Sequence, residues 1–324
     1  MNFMDVLPRA LACGLLITLF AVSPALAAAP VAETTGTRDV DSGAATLLGR
    51  VDPNNEATRF FFEYGKTRRF GSRTADANAG SGANPRRVTA RVEGLEPDTR
   101  YYFRLVASNA SGVDSGATRA FKTERQPLGL QISAAPNPIV FGSPTTVFGT
   151  LTGTGNAGKE LVLQQRPFPF TAEFAQVGNP IVTDGAGGFS FPVLPPLSTT
   201  QFRVRTTGGG QPVTSGVITL GVAPQVRTSR RPRAVRRNRR ARVYGTIRPS
   251  RVGIPFEIQK QTRRGAWVVV RRGLTRAGAD DTYARYGKRV RVPRTAKYRV
   301  FVNTGGGDLV SGIGPELTIR VRRR

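Results

Sequence analysis

The most definite chemistry in this chain is offered by one short run, Arg227-Thr228-Ser229-Arg230-Arg231-Pro232-Arg233-Ala234-Val235-Arg236-Arg237-Asn238-Arg239-Arg240-Ala241-Arg242, which holds nine arginines and no acid. Guanidinium groups grip phosphate, sulfate and carboxylate bidentately. Each anionic group neutralised on a polymer also releases its counterions. Arg230, Arg231, Arg233, Arg236, Arg237, Arg239, Arg240 and Arg242 are therefore candidate anion-binding residues. Further along, Arg289-Val290-Arg291-Val292 and Arg320-Val321-Arg322 alternate base with β-branched residue. Period two sends the valines to a core and the arginines to an outer face. Arg289, Arg291, Arg320 and Arg322 thus join the candidates as a basic stripe, extended by Arg323 and Arg324. Two blander roles stand beside this one. Charge keeps a β-rich protein soluble, and arginines guard edge strands against aggregation.

Catalytic chemistry has far less to work with. The chain has no histidine and one cysteine, Cys13. Histidine-activated nucleophiles are excluded, and thiolate or imidazole metal sites lack their ligands. The acidic clusters Asp280-Asp281, Asp39-Asp41 and Asp184-Gly185 fall short of the six to eight oxygens calcium takes and read as turn chemistry. No cofactor is expected. Most aromatics of the last third, such as Tyr244 and Tyr298, sit where the preceding segment also has an apolar residue, and read as core rather than a base-stacking platform. Contact with nucleic acid would then be through backbone charge and not sequence-specific. Trp267, matched by Phe174, reads as a packed strand residue, with sugar stacking as the alternative.

The charge is unevenly placed. From Ala223 onward there are 28 Lys+Arg against 5 Asp+Glu, a net +23 of the total +27. Only six of the 48 basic residues are lysine. GC-rich codons favour arginine over lysine, but they do not explain the missing acids.

At the other end, Arg9 precedes an apolar run from Ala10 to Val22, followed by Ala25-Leu26-Ala27. That is the layout of a secretory signal over residues 1–27, and the run falls short of the roughly 20 residues a membrane span needs. Cleavage after Ala27 would remove the only cysteine, leaving no disulfide and no transmembrane segment in the mature chain. With no sortase-type signal and no apolar tail, any attachment to a cell surface is expected to be non-covalent.

The remaining 297 residues (324 minus 27) suit two or three domains. Alternating apolar runs between Gly/Pro/Asn turns, without a helical pattern, predict an all-β chain. In residues 30–123 the alternation appears over Ala45–Val51, Arg59–Tyr64, Arg87–Val92 and Tyr101–Ala107. The segment Leu95-Glu96-Pro97-Asp98-Thr99-Arg100-Tyr101, followed by a strand ending Ala107-Ser108-Asn109, resembles a fibronectin type III domain. That resemblance implies a tyrosine corner built from Leu95, Pro97, Thr99 and Tyr101. The Tyr101 hydroxyl would bond back to the backbone near Leu95 or Glu96, with Phe103 and Leu105 continuing the buried face. Leu47, Leu48 and Phe60-Phe61-Phe62 are expected to fill the core in place of a tryptophan.

Residues 128–221 and 226–322 are a diverged repeat. Val147-Phe148-Gly149-Thr150-Leu151 recurs 96 residues on as Val243-Tyr244-Gly245-Thr246-Ile247, Phe202-Arg203-Val204 as Tyr298-Arg299-Val300, and Ser215-Gly216-Val217 as Ser311-Gly312-Ile313. The unit resembles the tandem immunoglobulin-like repeats of bacterial surface proteins. The expected architecture is three tandem antiparallel β-sandwiches after a signal peptide. Glu124–Pro127 and Gly221–Gln225 would link them, and short linkers imply a semi-rigid rod. The functional expectation is a secreted or cell-surface, non-catalytic binding or structural protein. Its basic third module would dock onto an anionic extracellular polymer such as a wall polymer, acidic polysaccharide or extracellular DNA. The alternatives are a non-catalytic accessory region of polysaccharide degradation and a ligand-free spacer. Oligomeric state is not legible.

Overall fold

A computed structural model describes residues 28–207 and 211–322. Residues 1–27, the expected secretory signal with Cys13, lie outside the described residues, as do residues 208–210, Arg323 and Arg324. Every regular element among the described residues is a strand. The chain divides into two compact units, one ending at Arg125 and one beginning at Gln126.

The first unit is a sandwich of two antiparallel sheets. One sheet takes Val31–Arg38, Ala44–Asp52 and Arg86–Glu93. The other is built on Thr58–Gly65 paired with Arg100–Asn109, flanked by Ser72–Arg73 and Ala77–Gly80 on one side and by Gly112–Ser115 and Arg119–Lys122 on the other. Three strands facing this four-position sheet is the fibronectin type III arrangement the sequence resembles. Alternation decides which side chains fill the core. Leu47, Phe60, Phe62, Phe103 and Leu105 are buried. Leu48 and Phe61 point the other way and are only half-buried, so the core is supplied by fewer residues than expected.

The tyrosine corner is present. The Glu96 N–H donates to the Tyr101 hydroxyl at 2.9 Å, and the Thr99 hydroxyl donates to the Pro97 carbonyl at 2.9 Å. Leu95 is buried beneath, and the Tyr101 ring stacks on Phe121 with centroids 5.7 Å apart. Tyr101→Phe keeps the ring and strands the Glu96 N–H. It is expected to cost about 1–2 kcal/mol, read as a lower urea midpoint for the first unit with an unchanged slope.

The second unit holds two sandwiches of the same plan, which the internal repeat foreshadows. In the first of them, Gly129–Ala135, Thr145–Thr152 and Gly188–Val193 form one sheet, facing another centred on Glu160–Pro167 and Thr200–Thr206. In the second, Gln225–Arg231, Arg240–Arg248, Ala284–Arg291 and Arg276–Ala277 face a sheet of Ala234–Val235, Leu317–Val321, Ala296–Val302, Pro255–Gln261 and Trp267–Leu274. Each copy adds a parallel pairing typical of immunoglobulin-like sandwiches: Ile139–Val140 with Val222–Ala223, and Ala234–Val235 with Arg320–Val321. The copies agree down to one close approach. A Cβ on Gly149 would stand 1.9 Å from the Gln131 carbonyl oxygen, and one on Gly245 1.8 Å from that of Arg227. Only glycine fits at either place.

The Gly221–Gln225 segment, linker-like by composition, does not hang free. Val222–Ala223 is the last strand of one sandwich, residues 221–224 are buried, and the next sandwich starts at Gln225. A loop of the later sandwich reaches back. Thr199 N–H donates to the Asp308 carbonyl at 2.7 Å, Val310 N–H to the Val222 carbonyl at 2.9 Å, and Asp308 pairs with Arg251. Between these bonds Leu309 is fully buried in the earlier sandwich's core, beside residues such as Phe202 and Leu220. The Gly/Pro punctuation that suggested a linker marks a strand exit that a leucine from elsewhere in the chain covers.

Candidate anion-binding face

Four strands of the last sandwich position the candidate site. Core-facing residues Ala241, Val243, Ile247, Ala284, Tyr286 and Val290 are buried, so by alternation their neighbours face outward. Register then stacks the arginines. Arg231 lies opposite Arg242, and Arg242 opposite Arg289; Arg240 lies opposite Arg291; Arg276 lies opposite Arg285. Directly opposed residues on one face bring their Cβ atoms to about 4.5–5.5 Å, and like charges so placed destabilise a sheet.

Nothing in the sheet relieves that repulsion. Its strands Gln225–Arg231, Arg240–Arg248 and Ala284–Arg291 carry ten lysines and arginines and no acid. Among the described residues the ion pairs of this sandwich are Arg251–Asp308, Arg272–Glu257 and Lys297–Glu316, all away from the face. Asp280 sits near Arg248, at the end of the sheet remote from Arg240 and Arg291. Its carboxyl is held low chiefly by hydrogen bonds from Thr282.

The opposing sheet of the same sandwich is built differently. There Glu257 accepts from Gln259 and Arg272, which hold its carboxyl below the usual range. Arg299 donates to Gln259 at 2.8 Å and lies 4.4 Å over the Trp267 ring. The earlier sandwich repeats that last arrangement with Arg203, Gln164 and Phe174. Trp267 is therefore packed under a guanidinium on an outer surface.

The candidates separate accordingly. Arg231, Arg240, Arg242, Arg289 and Arg291 share the face. Arg236, Arg237 and Arg239 occupy the exposed turn leading into it, tied by Arg239 N–H to the Arg236 carbonyl and by Val292 N–H to the Arg239 carbonyl. Arg233 is exposed in the preceding connection, its carbonyl accepting from Arg320 N–H. Arg230 has inward parity, opposite Val243, and its Nε is buried without a partner. Arg320 and Arg322 stand apart. Arg320 lies on, and Arg322 just beyond, the Leu317–Val321 strand of the opposing sheet, so the single stripe expected from sequence is divided between two sheets. Alternation orients a residue within its strand and says nothing about which sheet the strand joins.

Other residues of the face escaped the sequence reading. Arg227 and Arg248 lie on its strands, and Arg285 extends the alternation of Arg289 and Arg291 by two steps, a signal that was present. Tyr244 is also outward, with Arg242 5.3 Å over its ring, and its counterpart Phe148 is 41 % exposed. The expectation that Tyr244 is a core residue is therefore corrected. Tyr286 does belong to the core; burial pushes its hydroxyl well above the usual tyrosine range, and it donates to the Arg227 carbonyl at 3.0 Å.

The duplicated sheet in the earlier sandwich is a built-in control. Its register opposes Ala135, Thr146 and Pro192 where the later copy opposes Arg231, Arg242 and Arg289. Its strands Gly129–Ala135, Thr145–Thr152 and Gly188–Val193 contain not one charged residue. The fold forms without these arginines.

No protein-family model and no curated protein matches the chain. Among solved structures, domains A168–A170 from titin align with 12 % identity over 91 % of this chain and 100 % of that one, at a TM-score of 0.37. The chicken CNTN1 FN1–FN3 domains align with 15 % identity over 90 % and 99 %, at 0.32. A tetra-tandem repeat in the extending region of a large adhesion protein aligns with 13 % identity over 90 % and 74 %, at 0.29. No helix among the described residues is long and apolar enough to cross a membrane.

Proposed function

We propose that this chain is an exported, non-catalytic, modular β-sandwich protein that holds an anionic polymer against the outer face of its last sandwich. Export rests on the signal layout of residues 1–27, and the non-catalytic reading on a chain without histidine. The observation that carries the binding role is the contrast between the two copies of one sheet. Arg231, Arg242 and Arg289 stand in a row where the earlier copy has three uncharged residues. Solubility alone would be served by mixed charges of both signs, as on the opposing sheet. An unpaired row that costs stability calls for a ligand that supplies the missing negative charge.

The test is binding of the full chain to teichoic acid, hyaluronan and duplex DNA across a salt series. Affinity for each is expected at low salt, with log K falling linearly in log salt. Absence of binding at low salt, or affinity indifferent to salt, overturns the proposal. The face holds no histidine, the side chain that ordinarily titrates between pH 5 and 8. Affinity for duplex DNA, whose phosphodiesters stay ionised, is therefore expected to be flat across that range in a fixed-salt titration.

A further inference from the structure

One edge of the basic sheet is not flat. The chain leaves the Trp267–Leu274 strand of the opposing sheet and crosses through Thr275 to Arg276–Ala277 of the basic one. Beside that crossing a notch of about 720 Å³ opens along the Ala284–Arg291 strand. Arg242, Arg276, Arg285 and Lys288 line it, and no acid does.

Two glycines keep the notch open and seat its cations. A Cβ on Gly273 would stand 2.8 Å from the Phe256 ring and 2.9 Å from Cε of Lys288, so the lysine stem lies against bare backbone. A Cβ on Gly287 would stand 3.0 Å from Cβ of Tyr244 and 3.4 Å from Nε of Arg242. Lys288 is the anomaly of its strand. It has the inward parity of buried Tyr286 and Val290 and lies opposite buried Val243, yet it is exposed. An apolar residue would add to the core there; a lysine instead sends its charge out through the notch.

We propose, building on the polymer-binding role of the face, that this notch seats one phosphate-bearing sugar or polyol unit. The unit would be a terminal phosphomonoester of the bound polymer or a free sugar phosphate. The volume is in the range that holds a small organic molecule, more than an isolated phosphate fills. Four cations around one cavity favour a group bringing close to two negative charges, as a phosphomonoester does near neutral pH, over a carboxylate bringing one. Arg242 belongs to both face and notch, so a polymer tracking the Arg231–Arg242–Arg289 row would pass its mouth.

Calorimetric titration of the full chain with glucose 6-phosphate, glucuronate and glucose tests this. Glucose 6-phosphate is expected to bind one-to-one, at least ten-fold tighter than glucuronate, with no heat from glucose. The doubly substituted Arg276→Gln, Lys288→Gln chain is expected to lose at least ten-fold in affinity for glucose 6-phosphate. Arg320→Gln, one charge removed from the opposing sheet, is expected to change it less than two-fold. Equal loss in both variants, no loss in either, or glucuronate binding as tightly as the phosphate overturns the inference. If teichoic acid binds but glucose 6-phosphate does not, the notch falls and the face stands; if neither binds, both fall. Displacement of teichoic acid by glucose 6-phosphate would assign the unit to the polymer. Simultaneous binding would assign it to a free sugar phosphate.

Discussion

Replacing Arg231, Arg242 and Arg289 together with glutamine is expected to abolish most of the salt dependence of polymer binding. If the five shared arginines of the face each neutralise one phosphate of duplex DNA, the slope of log K against log salt is about −4.5, and affinity drops about 500-fold between 50 and 200 mM salt. The triple variant keeps about two contacts, a slope near −1.8, and loses only about 12-fold over the same range. Stability should move in the opposite direction. Two like-charge contacts across the strands, Arg231 with Arg242 and Arg242 with Arg289, are relieved, each by a few tenths to about 1 kcal/mol. A merely structural row would show the reverse pattern, with weaker folding and an unchanged slope. Salt-series binding and thermal unfolding of the same two proteins decide between them.

The second large effect concerns the joint inside the second unit. Leu309 belongs by sequence to the last sandwich but is buried in the core of the one before it. Leu309→Ala is expected to cost about 2–5 kcal/mol, and the loss should fall on the earlier sandwich. Hydrogen exchange of amides such as Phe202 and Leu220 would report it. Leu197→Ala, at a side chain 75 % exposed, should stay within about 0.5 kcal/mol. Two independently folded modules would instead leave exchange in the earlier sandwich untouched by the Leu309 change. The coupling also matters for binding. A face built on a sandwich braced this way is held by Thr199 and Val222 of the earlier sandwich as well as by its own core.

What could be read from sequence was what is local. The tyrosine corner is a seven-residue pattern closed by one hydrogen bond between residues five apart, so Leu95 to Tyr101 announce it. The repeat was legible because both copies keep Val147/Val243 and Leu151/Ile247 in the core and Gly149/Gly245 against a carbonyl. Orientation within a strand was legible for Arg289 and Arg291, flanking buried Val290. Sheet membership was not: Arg320 and Arg322 show the same alternation, but the pairing that sends their strand to the opposite sheet is made with Ala296–Val302 and Ala234–Val235. Tyr244 is not a core residue despite its aromatic character, because parity places it outward, between buried Val243 and Gly245, whose side faces the core. Leu309 follows three glycines in a loop, and its partners lie about a hundred residues earlier. No pattern near it in sequence could assign it. The notch was invisible for a similar reason, since Arg242, Gly273, Arg276 and Lys288 meet only once two sheets are stacked.

The binding role of the face is tested most directly by footprinting its arginines. The full chain would be treated with an arginine-specific dicarbonyl reagent, with and without saturating teichoic acid at low salt, and modification read residue by residue by mass spectrometry. Strong protection of Arg231, Arg240, Arg242, Arg289 and Arg291 is expected, with Arg272, Arg299 and Arg320 of the opposing sheet reacting at unchanged rates. Equal protection on both sheets, or none on the face while the polymer is bound, would contradict it.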